Sequence, residues 1–250
     1  MKTVDSLGSD VPLYAPCHKL SFNEPFVWLK KGWQDFRRAP WQSLIYGVIF
    51  AGIGWTLVYF SWAHESYLLT GLLVSFLLVG PLLAFGLYDI SQQLERNRKP
   101  TFSHERKKAI HEMGHELMLA LLLGLVFLIM LIFMSLVTNI GAALGQYSVA
   151  AAVPVSDAVS LFVAAIFMGI FFCACTFALP MIVDKDTNAM TAMLTSLHAV
   201  WRNKMVLAFW AALILALMVV GLATALVGYV LIIPVLGYAT WHAYRGTIIP

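Results

Sequence analysis

From Met205 to Tyr244 the chain runs for 40 residues without a Lys, Arg, Asp or Glu. As one α-helix at about 1.5 Å per residue this run would be about 60 Å long, twice the roughly 30 Å hydrocarbon core of a bilayer. Packed soluble cores do not need uncharged runs of that length, so the run reads as two membrane crossings folded back on each other. The turn is expected near Leu226 to Gly228, with crossings at 205–225 and 229–244. Composition agrees, since 60% of the 250 residues are apolar or aromatic and 12% are charged, against roughly 25% charged in a soluble domain.

The same reading places four more crossings. The first is expected over 41–62, with Trp41 and Trp62 as an aromatic belt. The second covers 67–90 and carries Gly80-Pro81, where a kink is expected. The third covers 117–138, an outer loop 139–157 follows, and the fourth covers 158–183, ending at Leu179-Pro180. Lys and Arg number six before Trp41, six between Asp89 and Glu116, three between Asp184 and Lys204, and one after the last crossing, Arg245. The other three loops have none. Under the positive-inside rule this pattern predicts six crossings with both termini in the cytoplasm. The basic side chains then meet anionic lipid headgroups, and a net charge of +3 is too small to argue for nucleic acid.

Between crossings the pattern changes. Residues 1–20 read as a mobile cytoplasmic tail. Over 21–38, Phe22, Phe26, Leu29, Trp33 and Phe36 recur at spacings of 4, 3, 4 and 3. They form one apolar stripe with Lys30, Lys31, Gln34, Arg37 and Arg38 opposite, as in a basic helix lying on a membrane surface with its aromatics in the interface. Ser21 with Glu24 forms a candidate capping box, and Pro25 is tolerated in the first turn. A second surface helix is expected over 186–204, capped by Asp186 or Thr187, with Met190, Met193, Leu197 and Val200 on one face. A basic amphipathic segment, 91–116, precedes the third crossing. The fold class is therefore an all-α integral membrane protein of three hairpins, each preceded by a cytoplasmic interfacial helix.

The first and last units align. A shift of 164 residues lays Phe26, Leu29, Trp33 and Phe36 on Met190, Met193, Leu197 and Val200, and Arg38 on Arg202. A shift of 153 lays Pro81 on Pro234 and Tyr88 on Trp241. An internal repeat accounts for this, as in many membrane proteins; the alternative is that any two such units look alike.

Three runs carry a family resemblance: Leu179-Pro180-Met181-Ile182-Val183-Asp184, Ala192-Met193-Leu194-Thr195-Ser196, and Pro234-Val235-Leu236-Gly237-Tyr238-Ala239-Thr240-Trp241-His242-Ala243-Tyr244-Arg245. Over about residues 22–245 the chain resembles a bacterial family of predicted integral membrane proteins, domain of unknown function 2189. The resemblance implies a bacterial inner membrane protein and no particular activity.

One spelling looks like chemistry. In His111-Glu112-x-x-His115, two His side chains four apart on a helix can face one zinc, and Glu112 can activate a bound water. Glu112 is thus the candidate catalytic residue, and His111 and His115 the candidate metal ligands. Catalytic zinc needs a third protein ligand, and no adjacent signature supplies one, although Asp184, Asp186 and His198 fall on the same expected side. The competing reading is a solvated helix face on which Glu112 and Glu116 offset nearby Arg and Lys. No cofactor is implied. His64, Glu65 and His242 read as interfacial polar groups, Cys173 and Cys175 as small apolar fillers, and Gly141-x-x-x-Gly145 and Gly221-x-x-x-Ala225 as close helix contacts.

Three functions are open. The first is a non-catalytic accessory, assembly or scaffold subunit holding other membrane subunits through its cytoplasmic helices. It follows from the lack of any Asp, Glu, Lys or Arg in the middle of a crossing, where ionisable groups mark ion or proton paths. The second is a transporter or channel for a small neutral solute, suggested by the repeat and by Pro81, Pro180 and Pro234. The third is the zinc metalloprotease.

Overall fold

In the computed structural model the described residues are 15–63, 84–100, 172–185 and 187–249, with isolated helical positions at 128, 162, 166, 169 and 170. They are all-helical, apart from one isolated antiparallel bridge between Cys17 and Ile248. The helices are α1 (Glu24–Arg38) and α2 (Pro40–Ala63), α3 over 84–95, α4 (Ala178–Lys185), α5 (Ala189–Arg202), α6 (Lys204–Ala223) and α7 (Tyr229–Thr247).

Two of these are long and apolar enough to cross a membrane, over Pro40–Tyr59 and Lys204–Ala223, and only 17% and 22% of their apolar windows are buried. A helix at the centre of a soluble core would be mostly covered. Here Ile45, Val48, Trp55 and Val58 of α2 and Leu215, Val219 and Leu222 of α6 face outward, which hydrocarbon satisfies and water does not.

The hub is α7. Its C-terminal half buries Leu236, Tyr238, Ala239, Trp241, Ala243 and Tyr244. Neighbours approach it through small residues. On α2 the positions 43, 47 and 51 form a Ser-Gly-Ala stripe, buried throughout, with the four-residue spacing that lets helix backbones come close. A Cβ on Gly47 would lie 2.1 Å from the Val230 carbonyl oxygen. That carbonyl is the one Pro234, four residues on and without an N–H, leaves unpaired in the helix ladder. On α1 a Cβ on Gly32 would meet Val235 O at 2.6 Å and Ala239 N at 2.8 Å.

The α6–α7 hairpin closes through 224–228. Ala225 and Leu226 adopt φ of 50° and 68°, the left-handed region a helix C-terminus uses to turn back. Thr224 Oγ1 donates to Gly221 O and accepts from Gly228 N–H, and Leu226 N–H returns to Gly221 O.

Several sequence expectations need correcting. The N-cap of α1 is Asn23 rather than Ser21. Its side chain makes no capping bond, and the Glu24 N–H goes to the Ser21 backbone carbonyl. The cap of α5 is Asn188, whose side chain accepts from Met190 N–H, rather than Asp186 or Thr187. Helix α3 continues to residue 95 instead of stopping at Ile90, burying Ser91, Gln92, Gln93 and Leu94. The helix expected to end at Leu179-Pro180 breaks earlier, at 176–177, because Pro180 cannot donate to the Thr176 carbonyl. Ser196 of α5 closes that break, accepting from Phe177 N–H and donating to Cys173 O. Residues 15–20 are not part of a free tail. Cys17 is buried, His18 N–H and Ile249 N–H bond Thr247 O and Pro16 O, and Asn203 holds Leu20 N–H and His18 O.

The two surface-helix stripes are also divided differently. On α1 the face against the protein is Pro25, Trp28, Gly32, Asp35 and Phe36, while Phe22, Phe26 and Trp33 remain exposed. On α5 the packed face is Ala189, Ala192, Thr195, Ser196 and Ala199, while Met190, Leu194, Leu197 and Trp201 are exposed. The breaks after α1 and α5, at Ala39 and Asn203, are 164 residues apart. Buried positions 25, 28, 32, 35 and 39 correspond under that shift to 189, 192, 196, 199 and 203, all buried.

Candidate functional site: the polar junction on the last helix

The described Lys and Arg residues lie in or beside α1, the end of α3, the end of α4, the α5–α6 junction and the end of α7. The elements meet there through polar side chains converging on α7.

Asp35 of α1 is 4% exposed. A buried carboxylate requires hydrogen-bonding partners, and its Oδ2 accepts from Ser91 Oγ of α3 at 2.7 Å and lies 2.7 Å from His242 Nε2 of α7. With Asp35 ionised, that ring nitrogen must carry the proton. Three helices are thereby joined at one oxygen atom. One turn lower, Ser43 Oγ donates to Ala39 O at 2.6 Å, so the Tyr238 hydroxyl is the donor in its 2.8 Å bond to Ser43.

A second cluster surrounds Arg245. Its Nε donates to Glu95 Oε1 and its Nη1 to Asp184 Oδ2, both at 3.2 Å. Trp241 Nε1 donates to Glu95 Oε2, the Tyr244 hydroxyl to Asp184 Oδ2, and Gln92 Nε2 to Asp184 Oδ1. Burial pulls the Arg245 guanidinium down, but Glu95 and Asp184 outweigh it and leave it raised. The guanidinium is therefore a fixed charge, tying α7 to α3 and α4.

Between α1, the end of α3 and α7 lies a pocket of about 260 Å³ lined by Lys31, Gln34, Asp35, Arg38, Leu94, Glu95, Asn97 and His242. Asn97 ends α3 with φ of 53°, a conformation Asn adopts more readily than most residues.

The comparisons bear on the membrane assignment. A family model described as "Predicted integral membrane protein (DUF2189)" matches residues 68–184. That stretch, a little under half of the chain, is similar to the family. The match and the outward-facing apolar helices both support an integral membrane protein, and the matched family is described without an activity. No curated protein and no solved structure matches the chain. The DUF2189 match is narrower than the resemblance drawn from the sequence. Of the three runs that carried it, Leu179 to Asp184 lies inside, and the runs beginning at Ala192 and Pro234 lie beyond the end of the match.

The candidate zinc ligands His111 and His115 and the candidate catalytic Glu112 lie outside the described residues. Asp184, a possible third ligand, is engaged by Gln92, Tyr244 and Arg245. Among the described residues no group of three His, Cys, Asp or Glu side chains could hold a metal ion.

Sequence reasoning missed Asp35. The available signal was its register, since 28, 32, 35 and 39 share one helical face and that face alone carries an acid. His242, read as an interfacial polar group, is instead a structural partner, its side chain 14% exposed.

Proposed function

We propose that this protein is a non-catalytic membrane module, an accessory, assembly or scaffold subunit that presents its interfacial helices to other membrane subunits. The observation that carries this reading is that Asp35, Glu95, Asp184, His242 and Arg245 are joined to one another or to neighbouring helices. Such a network of mutually engaged side chains holds helices together. The exposed face of α5 suits contact with a partner or lipid, because Leu194 and Trp201 stand where α1 carries Lys30 and Arg37, and Trp201 is 79% exposed.

In this reading the chain makes six crossings as three hairpins in a bacterial inner membrane, with both termini and the polar junction in the cytoplasm and its cations among anionic headgroups. The first and last units are copies of one ancestral unit, supported by their matching breaks and buried positions at a spacing of 164. The test is purification from native membranes in mild detergent, with photo-crosslinkers at Met190 and Trp201. A stoichiometric partner crosslinked at α5 is expected. A chain that runs alone and crosslinks only to lipid overturns the reading. Reporters fused after Ser66 and Gln146 test the topology, and either one facing the cytoplasm refutes six crossings.

A further inference from the structure

We infer that the pocket between α1, the end of α3 and α7 binds a soluble phosphate monoester that enters from the aqueous side of the membrane. This goes beyond the scaffold reading and stands or falls separately from it. The pocket groups divide into those already engaged and those left over. Both carboxylates are satisfied internally, Asp35 by Ser91 and His242 and Glu95 by Trp241 and Arg245. The Lys31 ammonium, the Arg38 guanidinium and the Gln34 and Asn97 amides line the same space. Those four side chains make no hydrogen bond or ion pair among the described residues.

The unspent capacity of the pocket is therefore two fixed cations and two amide donors. Lys31 and Arg38 offset the charge of about −1.5 to −2 that a phosphate monoester carries at neutral pH, while Glu95 is held against Arg245 and the Asp35 carboxylate is turned to Ser91 and His242. Guanidinium, ammonium and amide N–H groups are what phosphate oxygens accept from. A pocket of about 260 Å³, several times the roughly 30 Å³ share of a liquid water, has room for a phosphate and part of its alcohol.

Helix geometry identifies the side from which it enters. At about 100° per residue, Phe22, Phe26 and Trp33 fall on one flank of the face that α1 packs against the protein, and Lys31, Gln34 and Arg38 fall on the other. When the exposed aromatics sit in the membrane interface, the three pocket residues point away from lipid. A bilayer headgroup approaches from the wrong flank.

The test uses the full chain in nanodiscs of zwitterionic lipid, titrated calorimetrically with inorganic phosphate and with glycerol phosphate. Saturable one-site binding is expected, weakened at least about tenfold by the Lys31→Gln/Arg38→Gln double substitution. Both side chains are exposed, so an unchanged melting temperature verifies folding of the variant. A parallel titration in nanodiscs containing phosphatidic acid separates the two sources of a monoester. Undiminished binding of glycerol phosphate there supports a soluble ligand, whereas its loss through competition by the lipid overturns it. No saturable binding up to about 10 mM, where affinity is negligible, or equal affinity in the double variant, also overturns the inference.

Discussion

Replacing His242 by Phe removes the imidazole that anchors α7 to Asp35 and leaves a carboxylate, 4% exposed, with Ser91 as its remaining partner in the junction. Leaving a buried acceptor short of a hydrogen-bond partner costs about 1–3 kcal/mol, and more when it is charged. Ser91 stays and the His242 side chain retains 14% exposure, which holds the cost for His242→Phe to about 3 kcal/mol. Asp35→Leu leaves the His242 imidazole at a partly exposed position without its acceptor, at a cost of about 1 kcal/mol for the lost hydrogen bond. The double variant removes the stranded charge altogether, and exchanging a buried pair for apolar side chains is close to neutral, so about 1 kcal/mol is expected. The singles together cost about 4 kcal/mol and the pair about 1, a coupling of about 3 kcal/mol. The assay is unfolding in mixed micelles by a denaturing detergent, followed by the fluorescence of Trp28, Trp210 and Trp241, all buried in the described core. Additivity of the two single effects to within about 0.5 kcal/mol would show that the 2.7 Å contact does not bind α1 to α7.

Gly32→Ala should separate α1 from α7 and Gly47→Ala should separate α2 from α7, each by about 1–3 kcal/mol of overpacking, since the added methyls meet rigid backbone; chemical stability within error of the parent would refute those crossings. Burial raises the Cys17 thiol above its ordinary value of 9.0 against the opposing pull of Arg202, and the thiolate is the reactive form. Cys17 should therefore react with a maleimide more slowly in the folded protein than after unfolding, and equal rates would refute its burial. Because the folded value is the higher one, this contribution to stability is full below about pH 9 and declines as pH rises through the raised value, which unfolding measured at increasing alkaline pH will register. Lipids brominated near the headgroup should quench Trp33 and Trp201 strongly in single-Trp variants and leave Trp28 nearly untouched; strong quenching of Trp28 would mean that α1 presents the opposite flank to the membrane.

What the sequence revealed was set by length and charge. The turn after Ala223 and the last hairpin were legible because 40 uncharged residues are too long for one crossing, and helices α1 and α5 because their apolar residues recur at helical spacing. The polar junction was not legible. Its bonds join residues far apart in the chain, such as Asp35 with His242 and Glu95 with Trp241, and no local pattern records a pairing across that separation. A weaker signal was present in the Tyr238-to-Arg245 run. Tyr238, Trp241, His242, Tyr244 and Arg245 each turn out to have a polar partner on another helix, which accounts for five polar or amphipathic side chains closing an otherwise apolar helix.

The divided stripes on α1 and α5 have one physical cause. In a soluble protein the largest apolar side chains of an amphipathic helix face the core, because that is the only place that excludes water. At a membrane surface lipid offers a second such place, and the two compete for different residues. Close helix contact favours small side chains, so Gly32 on α1 and Ala192, Ser196 and Ala199 on α5 go to the protein, with Trp28 filling the space beside Trp210 at 5.5 Å. The bulky residues Phe26, Trp33, Met190, Leu197 and Trp201 are left outward, which the interfacial position proposed for both helices accounts for, since lipid does not require shape complementarity. A stripe drawn by hydrophobicity alone joins Phe36 to Trp33, although the first is buried and the second exposed. Apolar character does not separate them, and the small or polar residues flanking an apolar stripe, Gly32 and Asp35 on α1, are the better guide to which face of such a helix meets protein.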